Sequence, residues 1–165
     1  MSQPLDEPGV LETDEILVRK LEPADLEAVI AVDAAASGRR RPMYLERMVR
    51  RAVEEADFQV SLAAEVEGRT VGFALATLYY GEYGVTEPSA SIDAIGVAPE
   101  FRGRKVGRAL LRQLLMNYAA LRIERVRTEV AWNNANLLAF FERVGFAPAG
   151  RICLERQLDP TAPEI

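Results

Sequence analysis

The chain has 165 residues, 49% of them apolar and 27% charged, which suits one folded domain of ordinary composition rather than a disordered or fibrous chain. It contains no histidine and a single cysteine, so Ser-His-Asp and Cys-His machineries, an intramolecular disulfide and nearly every zinc site are excluded. The net charge of −5 is concentrated in residues 1–15, where five acids stand without a base, and the rest of the chain is neutral.

That neutrality argues against a nucleic-acid binder. No apolar run reaches the roughly 20 residues a membrane helix needs, and the N-terminus has neither a basic region nor an apolar stretch of a secretory signal. A cytoplasmic protein without a membrane or nucleic-acid partner is expected. Residues 1–15, with Pro4, Pro8 and Gly9, read as an acidic tail, residues 16–158 as the single domain, and residues 159–165 as a C-terminal tail.

Ile16 to Leu21 suits a short strand. Pro23 opens a first helix with an apolar stripe at Leu26, Val29 and Ile30, and Gly38 stops it. Pro42 opens a second, in which Leu45, Met48, Val49, Ala52, Val53 and Ala56 follow the helical period. Phe58 to Val66 and Thr70 to Tyr80 are expected strands joined through Glu67-Gly68-Arg69 as a hairpin. A loop from Gly81 to Pro88 carries Glu82, Tyr83 and Glu87. In the strand Ser91 to Ala98, a period of two puts Ser91, Asp93, Ile95 and Val97 on one face. A third helix buries Leu110, Leu111, Leu114, Leu115 and Tyr118. Arg125 to Ala131 is a strand, Asn134 to Val144 a fourth helix ending at Gly145, and Arg151 to Leu158 a final strand that could join a second copy's sheet in a homodimer. The class is α/β with a mixed sheet.

Chemistry concentrates between the strand at 91–98 and the third helix. A helix N-terminus carries unpaired amides and a partial positive charge, so Arg102, Arg104, Lys105 and Arg108 there are unfavourable unless an anion is present. Gly103 and Gly107 let backbone approach a ligand, and the segment reads as a phosphate cradle. It fits neither the Walker pattern nor the dinucleotide fingerprint. A solvated basic helix start with incidental glycines is the plainer alternative.

The stretch Ile92-Asp-Ala-Ile-Gly-Val-Ala-Pro-Glu-Phe-Arg-Gly-Arg-Lys-Val-Gly-Arg-Ala-Leu-Leu111 resembles the acetyl-CoA-binding motif of the GNAT superfamily of N-acetyltransferases. Trp132-Asn133-Asn134 through Gly145-Phe146 resembles that family's second signature. The resemblance implies a central mixed sheet of six to seven strands with about four helices, and splayed parallel strands forming a cofactor cleft. It implies transfer of an acetyl group from acetyl-CoA, without a metal, to a small-molecule or peptide amine in a ternary complex. Ile95 and Val97 would offer backbone groups to the pantetheine arm, with Gly96 at a strand bulge. Main-chain amides of Arg102, Gly103, Arg104, Lys105, Val106 and Gly107 would hold the pyrophosphate, and Asn134 would contact the cofactor.

Two positions depart from the family pattern. Lys105 stands where a glycine is usual, and Phe141 where many members carry a tyrosine proposed to protonate the leaving thiolate. An attacking amine must lose a proton, and Asp93 is the candidate base, with Glu82 and Glu87 as alternatives. Asp93 could equally be a polar strand residue bonded to a neighbour. Tyr79, Tyr80 and Tyr83 could line an acceptor pocket or simply pack. The arginines at 39–41, 47, 50 and 51 read as a solvated face or as the rim of an acceptor site. Cys153, without a histidine, reads as an inert thiol. A non-catalytic acyl-CoA-binding module is the rival reading, motivated by Lys105 and Phe141.

Overall fold

A computed structural model describes residues 15–55, 60–81, 86–158 and 161. The chain forms two compact units, one through Glu129 and one from Val130. The first unit contains β1 (Leu17–Lys20), α1 (Leu26–Ser37), α2 (Pro42–Arg50), β2 (Leu62–Val66), β3 (Arg69–Tyr79), β4 (Ser89–Val97), α3 (Val106–Ala120) and β5 (Arg125–Thr128). Its strands form one sheet in the order β1-β2-β3-β4-β5, antiparallel except for the parallel pair β4–β5 that α3 connects.

The helix signals act as their chemistry requires. Pro23 begins a single 3-10 turn before α1, and Gly38 closes α1 in the left-handed conformation at φ 70°. α2 starts at Pro42 but loosens after Arg50 into one π turn over Arg51–Glu55. The β2–β3 turn is the two residues Glu67 and Gly68, both at positive φ, which matches the twist of a tight hairpin.

Each face of the sheet is covered. Val29, Ile30, Val32, Leu45 and Val49 from α1 and α2 pack against Ala63, Phe73 and Leu75 on one face. The other face receives Val106, Leu110, Leu111, Leu114 and Tyr118 of α3, all buried. Gly72 permits that approach. A Cβ there would lie 3.0 Å from Val106 Cγ1 and 3.1 Å from the Gly96 carbonyl oxygen. The start of α3 is thereby pressed onto the β3–β4 pair.

Arg19 crosslinks the β1 end of the sheet. It donates two hydrogen bonds to Asp25, at 2.8 and 2.9 Å, and one to Glu65 at 3.0 Å. Burial pushes the Asp25 carboxyl upward, but Arg19, the Glu22 amide and Thr70 outweigh it and hold the group below the usual carboxylate range.

The second unit contains α4 (Ala135–Arg143). Asn134 caps it, its Oδ1 accepting from the Leu137 amide at 3.2 Å. Phe141 is buried, its ring 5.3 Å from Phe140 and 5.0 Å from Phe146.

Three expectations require correction. The sheet has five strands among the described residues, not six or seven. Residues 151–158 form no strand, and Ile152 and Leu154 are 87% and 89% exposed. Alternation supplies a strand's side-chain pattern, but a strand exists only where it joins a ladder, and residues 151–158 join none of the described strands. The bulge in β4 falls at Asp93, not at Gly96. Leu75 pairs with Ala94 and Ala76 with Ile92, leaving Asp93 as the extra residue.

Candidate active site

The bulge changes which residues share a face. Ser91 pairs with Thr77, and Asp93 accepts hydrogen bonds from both hydroxyls, so all three lie on the side of the sheet that carries Phe73 and Leu75. Beyond the bulge, Ile95 pairs with Ala74 and Val97 with Gly72, on the α3 side. Asp93 and the Ile95–Val97 pair are therefore on opposite faces, because one inserted residue inverts the alternation.

The bulge also marks where β4 and β5 separate. Their register runs from Ser89 with Arg125 to Ile92 with Thr128 and then stops. The Thr128 hydroxyl donates to the Ile92 carbonyl at 2.9 Å as the last link. From Asp93 to Val97 no strand covers the β5-facing edge of β4 among the described residues. That edge offers backbone donors and acceptors to an extended, amide-bearing ligand. Gly96 serves the core rather than a turn. A Cβ there would lie 2.8 Å from Phe73 Cε1 and 3.0 Å from Val32 Cγ1.

The open edge leads to the start of α3. Pro99–Phe101 make one 3-10 turn, and Gly103 and Lys105 then both adopt left-handed backbone, at φ 75° and 65°. The first intrahelical bond runs from the Ala109 amide to the Lys105 carbonyl at 2.9 Å. The amides of Val106, Gly107 and Arg108 thus precede the ladder and point out of the helix end. No side chain caps this terminus and no acid lies in its first turn. Arg102, Lys105 and Arg108 are exposed around it, whereas Arg104 lies 5.5 Å from the Phe101 ring centre. Positive charge beside a positive helix end suits an anionic ligand, and a diphosphate answers both.

On the opposite face, Asp93 is exposed beside a polar track. The Ser91 and Tyr79 hydroxyls are 3.5 Å apart, and the Arg127 guanidinium lies 4.7 Å from the Tyr79 ring centre. Arg127 is also the β5 partner of Ser91. Tyr118, buried beneath α3, reaches the Ser91 carbonyl at 3.4 Å, and burial together with the Asp93 charge pushes its phenol upward, so it stays neutral.

Thr77 and Arg127 were not evident as site residues in the sequence. The available signals were a hydroxyl two residues before Tyr79 and a basic side chain inside a short strand. Glu82 and Tyr83 lie outside the described residues, while Glu87 is exposed. Asn134 belongs to the second unit, where its side-chain oxygen is committed to the cap. Arg41 is likewise engaged, donating to both oxygens of Asp33 at 2.9 and 2.8 Å, while Arg39, Arg40, Arg47, Arg50 and Arg51 are exposed. Cys153 is exposed. Among the described residues no group of three His, Cys, Asp or Glu is placed to hold a metal ion, and no helix is long and apolar enough to cross a membrane.

The separated parallel strand pair thus leads to an uncapped, glycine-bearing helix start. Residues 27–146 match the acetyltransferase (GNAT) family, and the chain belongs to that family. Solved structures share the fold. Aminoglycoside N-acetyltransferase AAC(6')-Iy in complex with CoA superposes with a TM-score of 0.72 at 18% identity, over 86% of this chain and 94% of that one. The ribosomal-protein-alanine N-acetyltransferase from Brucella melitensis biovar Abortus 2308 gives 0.70 at 18%, over 86% and 99%. An aminoglycoside acetyltransferase from an uncultured soil metagenomic sample, in complex with sisomicin, gives 0.65 at 15%, over 88% and 98%. At these identities the likeness establishes the fold.

Proposed function

We propose that this N-acetyltransferase carries an acetyl group from acetyl-CoA to a primary amine by direct attack within a ternary complex. The observation that carries the reading is the uncovered β4 edge running into the uncapped start of α3, with Asp93 on the other face of the same strand. The cosubstrate fits this arrangement chemically. Backbone groups of Ile95, Gly96 and Val97 suit the amides of a pantetheine arm, and the turn from Arg102 to Gly107 suits a pyrophosphate. Acetyl-CoA supplies the activated thioester.

The chain's own residues then have distinct tasks. The β4 edge orients the thioester and keeps one side of it against protein. An ammonium approaching the polar face meets the Asp93 carboxylate, which takes one proton directly or through water. The freed nitrogen bonds to the acetyl carbon as the carbon–sulfur bond breaks, the thiolate leaves with the electron pair, and the nitrogen's second proton passes through water to the departing sulfur. A thiol with an ordinary pKa of about 8.5 tolerates leaving without a dedicated donor, so Phe141 is compatible with turnover. Glu82 is the alternative base.

The acceptor classes named for the structural neighbours, aminoglycosides and a ribosomal-protein alanine, define the first panel to test. Thiol release from acetyl-CoA is measured with sisomicin, spermidine and a peptide beginning with alanine, and acetyl-CoA binding by calorimetry. Release with at least one amine is expected. In that amine's reaction, Asp93→Asn should lower kcat by roughly 10²–10⁴ with cofactor affinity nearly unchanged. Tight binding without release across all amines would overturn the reading in favour of a binding module.

A further inference from the structure

We infer that Thr77 and Ser91 are positioning residues that hold the Asp93 carboxylate in place for the acceptor amine, an inference that rests on Asp93 being the group that receives it. Asp93 is the extra residue of the bulge and therefore has no cross-strand partner of its own. It is exposed, and an unanchored aspartate there would sample several rotamers. The structure instead holds both its oxygens. The Ser91 hydroxyl donates to Oδ1 and the Thr77 hydroxyl to Oδ2, each at 2.5 Å, a length typical of bonds from hydroxyl to carboxylate.

The two donors come from opposite sides of one antiparallel ladder, since Thr77 and Ser91 are direct partners. Pinning one oxygen from each strand fixes the plane of the carboxylate as well as its position. A hydroxyl has a single proton to give, and a carboxylate has about four acceptor sites. Two bonds therefore leave acceptor capacity on both oxygens for an ammonium. Ser91 is buried and Thr77 half-buried, whereas Asp93 is exposed, so the anchors lie inside and the working group faces outward. Neither hydroxyl is needed for the ladder, which uses the main chain.

Functional groups must be held within roughly 0.5 Å of the productive geometry, and a misplacement of about 1 Å costs up to 10²-fold in rate. The test is a double-mutant cycle on the intact chain, read as thiol release with the fastest amine of the panel above. Thr77→Val and Ser91→Ala should each lower kcat by about tenfold or more while the KM for acetyl-CoA stays within about twofold. Thr77→Ser, which restores the donor, should stay within about threefold of the parent. On an Asp93→Asn background, Thr77→Val should produce no further loss, because the group it positions is gone.

Parental kcat in Thr77→Val and Ser91→Ala, alongside a large loss in Asp93→Asn, would overturn the positioning role and leave Asp93 as the base. Equal losses in Thr77→Ser and Thr77→Val would also overturn it, because the hydroxyl would then be irrelevant. So would additive losses in the double variant. An active Asp93→Asn would remove the underlying reading of Asp93, and the inference with it. Melting curves of each variant separate these kinetic effects from loss of fold.

Discussion

Lys105 is the one residue of the turn from Arg102 to Gly107 whose cost can be worked out from the backbone. It is not glycine, yet it adopts φ 65° at the position just before α3. Left-handed backbone costs an L-residue with a Cβ roughly 1–2 kcal/mol. A lysine at a helix N-terminus adds about 0.3–1 kcal/mol of unfavourable interaction with the helix dipole. Lys105→Gly removes both penalties, while the greater freedom of glycine in the unfolded chain returns about 0.4–1 kcal/mol. The expected result is a gain of about 1–2 kcal/mol, or roughly 2–8 °C in Tm for a chain of this size. Lys105→Ala is the control. It deletes the charge but keeps the Cβ, so its gain should be limited to about 0.3–1 kcal/mol. Thermal melts at low ionic strength separate the two. Equal Tm values for the glycine and alanine variants, or a fall in both, would refute the strain argument. Calorimetry with acetyl-CoA gives the second readout. If backbone amides do the holding, Lys105→Gly should bind within about threefold of the parent. A loss greater than about tenfold would instead make the Lys105 ammonium a direct phosphate ligand.

Gly96→Ala should cost about 1–3 kcal/mol, because its Cβ would lie 2.8 Å from the ring of the fully buried Phe73, and an unchanged urea midpoint would show that the core yields there. Gly107→Val should weaken acetyl-CoA binding at least about tenfold, close to 1.4 kcal/mol, and unaltered affinity in a folded variant would remove the phosphate assignment. Asp25 predicts a pH dependence. Its native carboxyl lies below its unfolded value of 3.8, so its contribution is present above that pH and is lost as the pH falls through the native value. Urea melts below pH 4 should accordingly show a shallower loss of stability in Asp25→Asn than in the parent, and parallel curves would contradict the Arg19 assignment.

The sequence by itself determined the helices, the hairpin and the two signature segments, because those signals are local. Pro23, Gly38 and Pro42 bound helices through their own φ preferences, and Glu67-Gly68 makes its turn without help from distant residues. The basic, glycine-bearing character of the segment from Arg102 to Arg108 and its place at the start of α3 were legible for the same reason, since charge and helix polarity are both local properties. The tertiary structure decided how the strands use their residues. Ser91, Asp93, Ile95 and Val97 alternate without a break in the sequence, yet the extra residue at Asp93 places it opposite Ile95 and Val97, a fact that exists only in the pairing with β3. Gly96 looked like a residue for a bulge, and only the position of Phe73 shows that it clears space for a ring. The alternating segment 151–158 had the pattern of a strand but found no ladder. Helix caps and turns are set by forces acting over a few residues. Register, bulges and strand existence are set by a partner distant in sequence, and no stretch of sequence read alone contains its partner.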